Sequence, residues 1–137
     1  MIKKAVILLL LLSLSACPLI ARSTDDEQKV PPATVKHFDY ILNEGGGITI
    51  IGYSGPETNV IVPEMLDGRL VTAINDMAFS ENPSLSSVVI PAGIRRIGAA
   101  AYRQCVSLQK VQLNDGLLEI GDYTFFGCGS LTSLDIP

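Results

Sequence analysis

Apolar residues in the second half of the chain recur at a fixed interval of 23 positions. Ile74, Ile97 and Ile120 form one set, Phe79, Tyr102 and Phe125 a second, and Leu85, Leu108 and Leu131 a third. Val88, Val111 and Leu134 follow, then Ile90, Leu113 and Ile136. Five registers at one period predict a solenoid of stacked coils, each burying its apolar side against its neighbours. Strand alternation points Leu85, Val88 and Ile90 inward and leaves Ser87 and Val89 outside.

The other positions of the repeat add detail. Pro63, Pro91 and Pro137 fall at strand ends, where a missing N–H costs least. Gly98 and Gly121 share a register with Asn75, and both residue types tolerate positive φ, so a left-handed residue is expected there. Short helical or 3₁₀ turns should follow, carrying Ala78-Phe79, Ala101-Tyr102 and Thr124-Phe125, with the three aromatics as buried wedges between coils. The first interval, Val60 to Val88, is 28 because Pro63 to Ile74 spans 11 positions where Pro91 to Ile97 spans 6. One loop insertion in a regular array accounts for this.

Ahead of the array, Phe38-Asp39-Tyr40-Ile41-Leu42 and Ile48-Thr49-Ile50-Ile51-Gly52-Tyr53 read as two strands joined by Asn43 to Gly47. Such a hairpin, within residues 37–59, would cover the open end of the first coil, because an uncapped repeat leaves apolar surface wet. The repeats occupy 60–137. Gly45 to Gly47 do not make a phosphate loop, since no helix with a Lys-Ser/Thr pair follows.

The first 16 residues change the picture of location. Lys3 and Lys4 precede an unbroken apolar run from Ala5 to Leu12, the charged and hydrophobic regions of a signal peptide, and the run is too short to span a bilayer. Leu14-Ser15-Ala16-Cys17 resembles the bacterial lipobox. That resemblance implies thioether lipidation of Cys17 and cleavage just before it, anchoring the chain to a membrane without spanning it. The alternative is ordinary cleavage after Ser23 and secretion. Residues 17–36, polar and carrying Asp25-Asp26-Glu27 and Pro31-Pro32, read as a solvated tether.

Charge excludes one class of partner. The chain carries 10 basic and 14 acidic residues, a formal −4. Loss of Lys3 and Lys4 leaves 8 against 14, or −6. With no basic cluster beyond Arg95-Arg96, nucleic acid is set aside.

The units resemble BspA-like leucine-rich repeats, whose pattern runs close to Ile-Gly-x-x-Ala-Phe-x-x-Cys-x-x-Leu-x-x-Val-x-Ile-Pro. One copy is Ile97-Gly98, Ala101-Tyr102, Cys105, Leu108, Val111, Leu113 and Asn114. The next is Ile120-Gly121, Thr124-Phe125, Cys128, Leu131, Leu134 and Ile136-Pro137. The resemblance spans roughly Tyr53 to Pro137, with Tyr102 in place of Phe, Asn75 of Gly and Asn82 of Cys. It implies a mainly β, right-handed solenoid with short strands on one face. It further implies an exported, surface-exposed bacterial protein of the adhesin or receptor kind.

Chemistry-bearing residues are sparse. Cys105 and Cys128 occupy equivalent positions in adjacent coils; a disulfide is open to them, but a reduced, buried ladder is favoured. Two cysteines without a nearby histidine make no zinc site, and His37, the only histidine, has no nucleophile elbow to serve. No catalytic residue, cofactor or metal is expected, and the chain is read as non-enzymatic. The expected role is protein binding through the outward strand residues Ser87, Val89, Lys110, Gln112, Ser133 and Asp135, with a host extracellular or bacterial surface protein as ligand. A second expectation is assembly: the last coil would leave Leu131, Leu134 and Ile136 on an open edge suited to self-association.

Overall fold

The computed structural model describes residues 35–137. The segment read as a signal peptide, Cys17 and nearly all of the expected tether lie outside the described residues. A short 3₁₀ turn, Val35–His37, leads into the hairpin formed by β1 (Phe38–Leu42) and β2 (Ile48–Tyr53), paired antiparallel with a bulge at Asp39/Tyr40. The coils then supply β3 (Asn59–Ile61), β4 (Met65–Leu66), β5 (Arg69–Ile74), β6 (Ser87–Val89), β7 (Arg96–Ile97), β8 (Lys110–Gln112), β9 (Glu119–Ile120) and β10 (Ser133–Asp135). The result is a mainly β solenoid of about four turns.

Strands line two faces of the coil, not one. One sheet runs β1-β2-β5-β7-β9 and the other β10-β8-β6-β3, parallel throughout except at β1. The short β7 and β9 are built around Ile97 and Ile120, and just past them Gly98 N donates to Ile74 O and Gly121 N to Ile97 O, each at 2.8 Å. Two apolar registers separated by a turn therefore give two strands per repeat, where the resemblance implied strands on one face.

The five-residue insertion is a hairpin. β4 pairs antiparallel with the start of β5 across Asp67-Gly68, whose φ values of 48° and 73° suit a tight two-residue turn. Leu66 is thereby buried.

Between the faces runs a stack of rings: Tyr53 on Phe79, Phe79 on Tyr102 and Tyr102 on Phe125, with centroids 5.5, 4.9 and 5.6 Å apart. Phe38 closes the stack at the hairpin, 4.9 Å from Tyr53. Phe79 and Tyr102 are buried and Phe125 is half-buried. Leu131 and Leu134 are half-buried, and Ile136 is 68% exposed.

The turns depart from expectation in two ways. They are not helical, and the left-handed residues are not Asn75, Gly98 and Gly121. They are Met77, Ala100 and Tyr123 (φ 56°, 54° and 57°), then Glu81, Gln104 and Gly127 (φ 58°, 60° and 76°). A left-handed residue at each end of the turn cannot continue a right-handed helix. Instead Met77, Phe79 and Glu81 donate to the carbonyls of Ala99, Ala101 and Arg103 in the next coil, at 2.7–3.0 Å. Ala100, Tyr102 and Gln104 do the same to Asp122, Thr124 and Phe126. These inter-coil bonds offset the left-handed strain.

Candidate protein-binding face

The sheet β10-β8-β6-β3 brings the six outward residues together in two columns. Ser87 pairs with Lys110 and Lys110 with Ser133; Val89 pairs with Gln112 and Gln112 with Asp135. The alternating partners Val88 and Val111 are buried and Leu134 half-buried beneath them. Lys110, Gln112, Ser133 and Asp135 are exposed, whereas Ser87 and Val89 are half-buried. Ser87 Oγ donates to Asn59 Oδ1 at 2.7 Å, so the first column extends onto β3.

A cleft of about 450 Å³ borders these columns, lined by Lys110, Gln112, Leu113, Asp115, Asp135 and the chain's last two residues. It offers one cation, two carboxylates and an amide around an apolar floor. Arrays of this kind suit an extended polypeptide, since donors and acceptors repeat along the stack.

The cysteines have a structural task. Cys105 Sγ donates to Phe79 O and Cys128 Sγ to Tyr102 O, each at 3.1 Å, and both are free and buried. Each thiol satisfies a carbonyl left over by the turn one coil earlier. Burial pushes the Cys105 thiol up to about 11 and raises Cys128 as well, which suppresses the nucleophilic thiolate. Asn114 fills the proline register of the neighbouring repeats: its Nδ2 donates to Pro91 O and Ile94 O at 2.8 and 3.0 Å, while its Oδ1 accepts from Gly116 N at 2.7 Å. A buried amide replaces the ring by closing its own turn.

His37 belongs to the hairpin end. Its Nδ1 lies 3.3 Å from Glu57 Oε2, which also accepts from the Tyr53 hydroxyl. Burial and the Glu57 partner raise Tyr53 well above the usual phenol range, and the Tyr53 hydroxyl holds Glu57 below the usual carboxylate range. The trio fastens the hairpin to the loop before β3. Among the described residues, no group of three His, Cys, Asp or Glu could hold a metal ion, and no helix is long and apolar enough to cross a membrane.

The family model described as BspA type leucine rich repeat region (6 copies) matches residues 72–137. The array is of the BspA leucine-rich repeat type. A leucine-rich repeat protein of Treponema pallidum (TpLRR) shares 34% identity over 77% of this chain, with a TM-score of 0.75. A leucine rich cell surface protein from Faecalibacterium prausnitzii shares 31% over 72%, at 0.64, and a leucine-rich repeat protein from Bacteroides ovatus 26% over 74%, at 0.67. The chain spans 50% of the Treponema protein and 28% of each of the other two. None of the curated proteins matches it.

The BspA-type frame separates what the repeat demands from what is individual here. Leu85, Val88, Ile97 and Leu108 are the buried scaffold. The outward columns and the turn edges carry side chains that the packing of the coils does not bury.

Proposed function

We propose that this chain is a lipid-anchored, cell-surface protein-binding module of the adhesin or receptor kind, engaging its ligand through the β10-β8-β6-β3 face. The supporting observation is the registered column of Ser87, Lys110 and Ser133 beside Val89, Gln112 and Asp135. Leucine-rich repeats generally serve protein–protein contact, and a relative named as a cell surface protein shares this fold. Cys17, in its lipobox, holds the module to the membrane, and the residues up to 36 space it from the lipid.

Two measurements test this reading. The full chain, immobilised, is presented with purified host extracellular-matrix proteins and with bacterial surface extracts. Replacing Lys110 and Gln112 together by Ala should weaken capture at least tenfold without unfolding the chain, and equal capture would reject the face. Labelling with radioactive palmitate in a bacterial host should mark the wild type but not Cys17→Ala; an unlabelled wild type would reject the anchor.

A further inference from the structure

The turn edge, away from the strand face, carries a register of large exposed side chains. Met77, Ala100 and Tyr123 stack there at 23-residue spacing, with Ser80, Arg103 and Phe126 beside them. Met77 is 58% exposed, Tyr123 72% and Phe126 54%, which is unusual for side chains of this size in one contiguous strip. Met77 is this exposed although two further coils stack after it, so the register points outward whatever its place in the array.

We propose that the Arg103–Tyr123–Phe126 pocket binds a protein segment that presents an apolar side chain next to a carboxylate. Four observations converge on this. The pocket, about 280 Å³, is lined by Ala100, Arg103, Tyr123 and Phe126. That volume lies at the small end of ligand pockets and suits a single side chain. The rings of Tyr123 and Phe126 meet edge to face, 6.0 Å apart at 85°, forming a wedge and not the flat platform on which a sugar ring stacks. Arg103 is exposed and makes no ion pair among the described residues, whereas Arg96 is shared between Asp76 and Glu119 at 3.8 and 3.4 Å. A free guanidinium beside an apolar wedge is complementary to a carboxylate following an apolar residue.

Residue types agree with this assignment. Tyr, Phe, Met and Arg are those enriched at the buried centres of protein interfaces, and they are absent from the six outward residues of the strand face. The turn backbone is also fixed in advance: Ala100 and Gln104 donate to Asp122 O and Phe126 O at 2.8 and 2.7 Å, so no backbone need be ordered on binding.

The test titrates the isotopically labelled full chain with capped hexapeptides, Gly-Ser-Phe-Asp-Ser-Gly against its Phe-Asn, Phe-Lys and Ala-Asp versions, and follows amide shifts. The Phe-Asp peptide should give saturable shifts at Ala100, Arg103, Tyr123 and Phe126. Tyr123→Gly removes the ring at a left-handed position that glycine adopts freely, and should raise Kd at least tenfold in a folded chain. Arg103→Gln should abolish the preference for Phe-Asp over Phe-Asn while leaving binding of the apolar residue. No shift at these amides, or binding unchanged in Tyr123→Gly, would overturn the proposal. So would shifts produced by chitotetraose and not by peptides, or concentration-dependent shifts without any peptide, which would assign the pocket to a glycan or to a second copy. Capture lost through Lys110 and Gln112 alone would leave this result untouched, so the two sites fail separately.

Discussion

Gly98 packs against Asn75 of the preceding coil so closely that a β-carbon on it would lie 2.6 Å from the Asn75 carbonyl carbon. Its own N–H donates to Ile74 O at 2.8 Å, and Gly121 repeats the arrangement, a β-carbon there falling 2.7 Å from Ala99 Cα. Glycine is required at these positions by the approach of two backbones, and not by the sign of φ. Gly98→Ala should therefore cost about 2–3 kcal/mol, as an overpacked core does. Urea unfolding followed by circular dichroism checks this, and a midpoint equal to wild type would refute the close approach.

Two residues away the sign reverses. Ala100 holds φ at 54°, where a β-carbon is strained by about 1–2 kcal/mol. Glycine relieves that strain but adds freedom to the unfolded chain, so Ala100→Gly should stabilise by about 0.5–1 kcal/mol. The same urea curves measure it, and destabilisation would show that the methyl packing outweighs the strain.

Tyr102 stacks between Phe79 and Phe125, yet its hydroxyl is buried without a hydrogen-bond partner. The equivalent positions carry phenylalanine. Tyr102→Phe removes an unsatisfied polar group and should be neutral or stabilise by about 1 kcal/mol. A loss of stability would mean that the hydroxyl has a partner in solution.

Burial keeps Cys105 and Cys128 as thiols, so native protein at pH 7 should not react with a disulfide reagent over minutes, while urea-unfolded protein should react at both. Rapid reaction of the native fold would contradict the buried ladder.

Stability should fall at both ends of the pH scale. The unfolded Cys105 ionises near 9 and the native one at about 11, so the native state holds the extra proton and loses stability as pH rises across that window. Cys105→Ala should flatten the slope. Glu57 has the opposite shift: Tyr53 favours its carboxylate in the fold, so its contribution is present above the usual 4.5 and lost as pH falls through and below it. Glu57→Gln should remove part of the acid loss, read from thermal midpoints between pH 3 and 6.

The 23-residue register of Ile97, Tyr102, Leu108 and Val111 determined the solenoid, its buried side and the outward columns at Lys110 and Gln112, because a stacked coil can bury an apolar set only at constant spacing. The hairpin over Phe38–Tyr53 was legible for the same reason, from two alternating runs around glycines. Side-chain pattern does not encode backbone sign or closeness, so the reason for glycine at Gly98 and Gly121 could not be read in sequence: either a left-handed φ or a near contact selects for it. Only the stacking of coils decided between them, since it is the neighbouring backbone that excludes a β-carbon at Gly98 and the inter-coil bonds that hold Met77 and Ala100 left-handed. The Arg103–Tyr123–Phe126 pocket was hidden likewise, because its members lie on two successive coils and become neighbours only when one coil rests on the next.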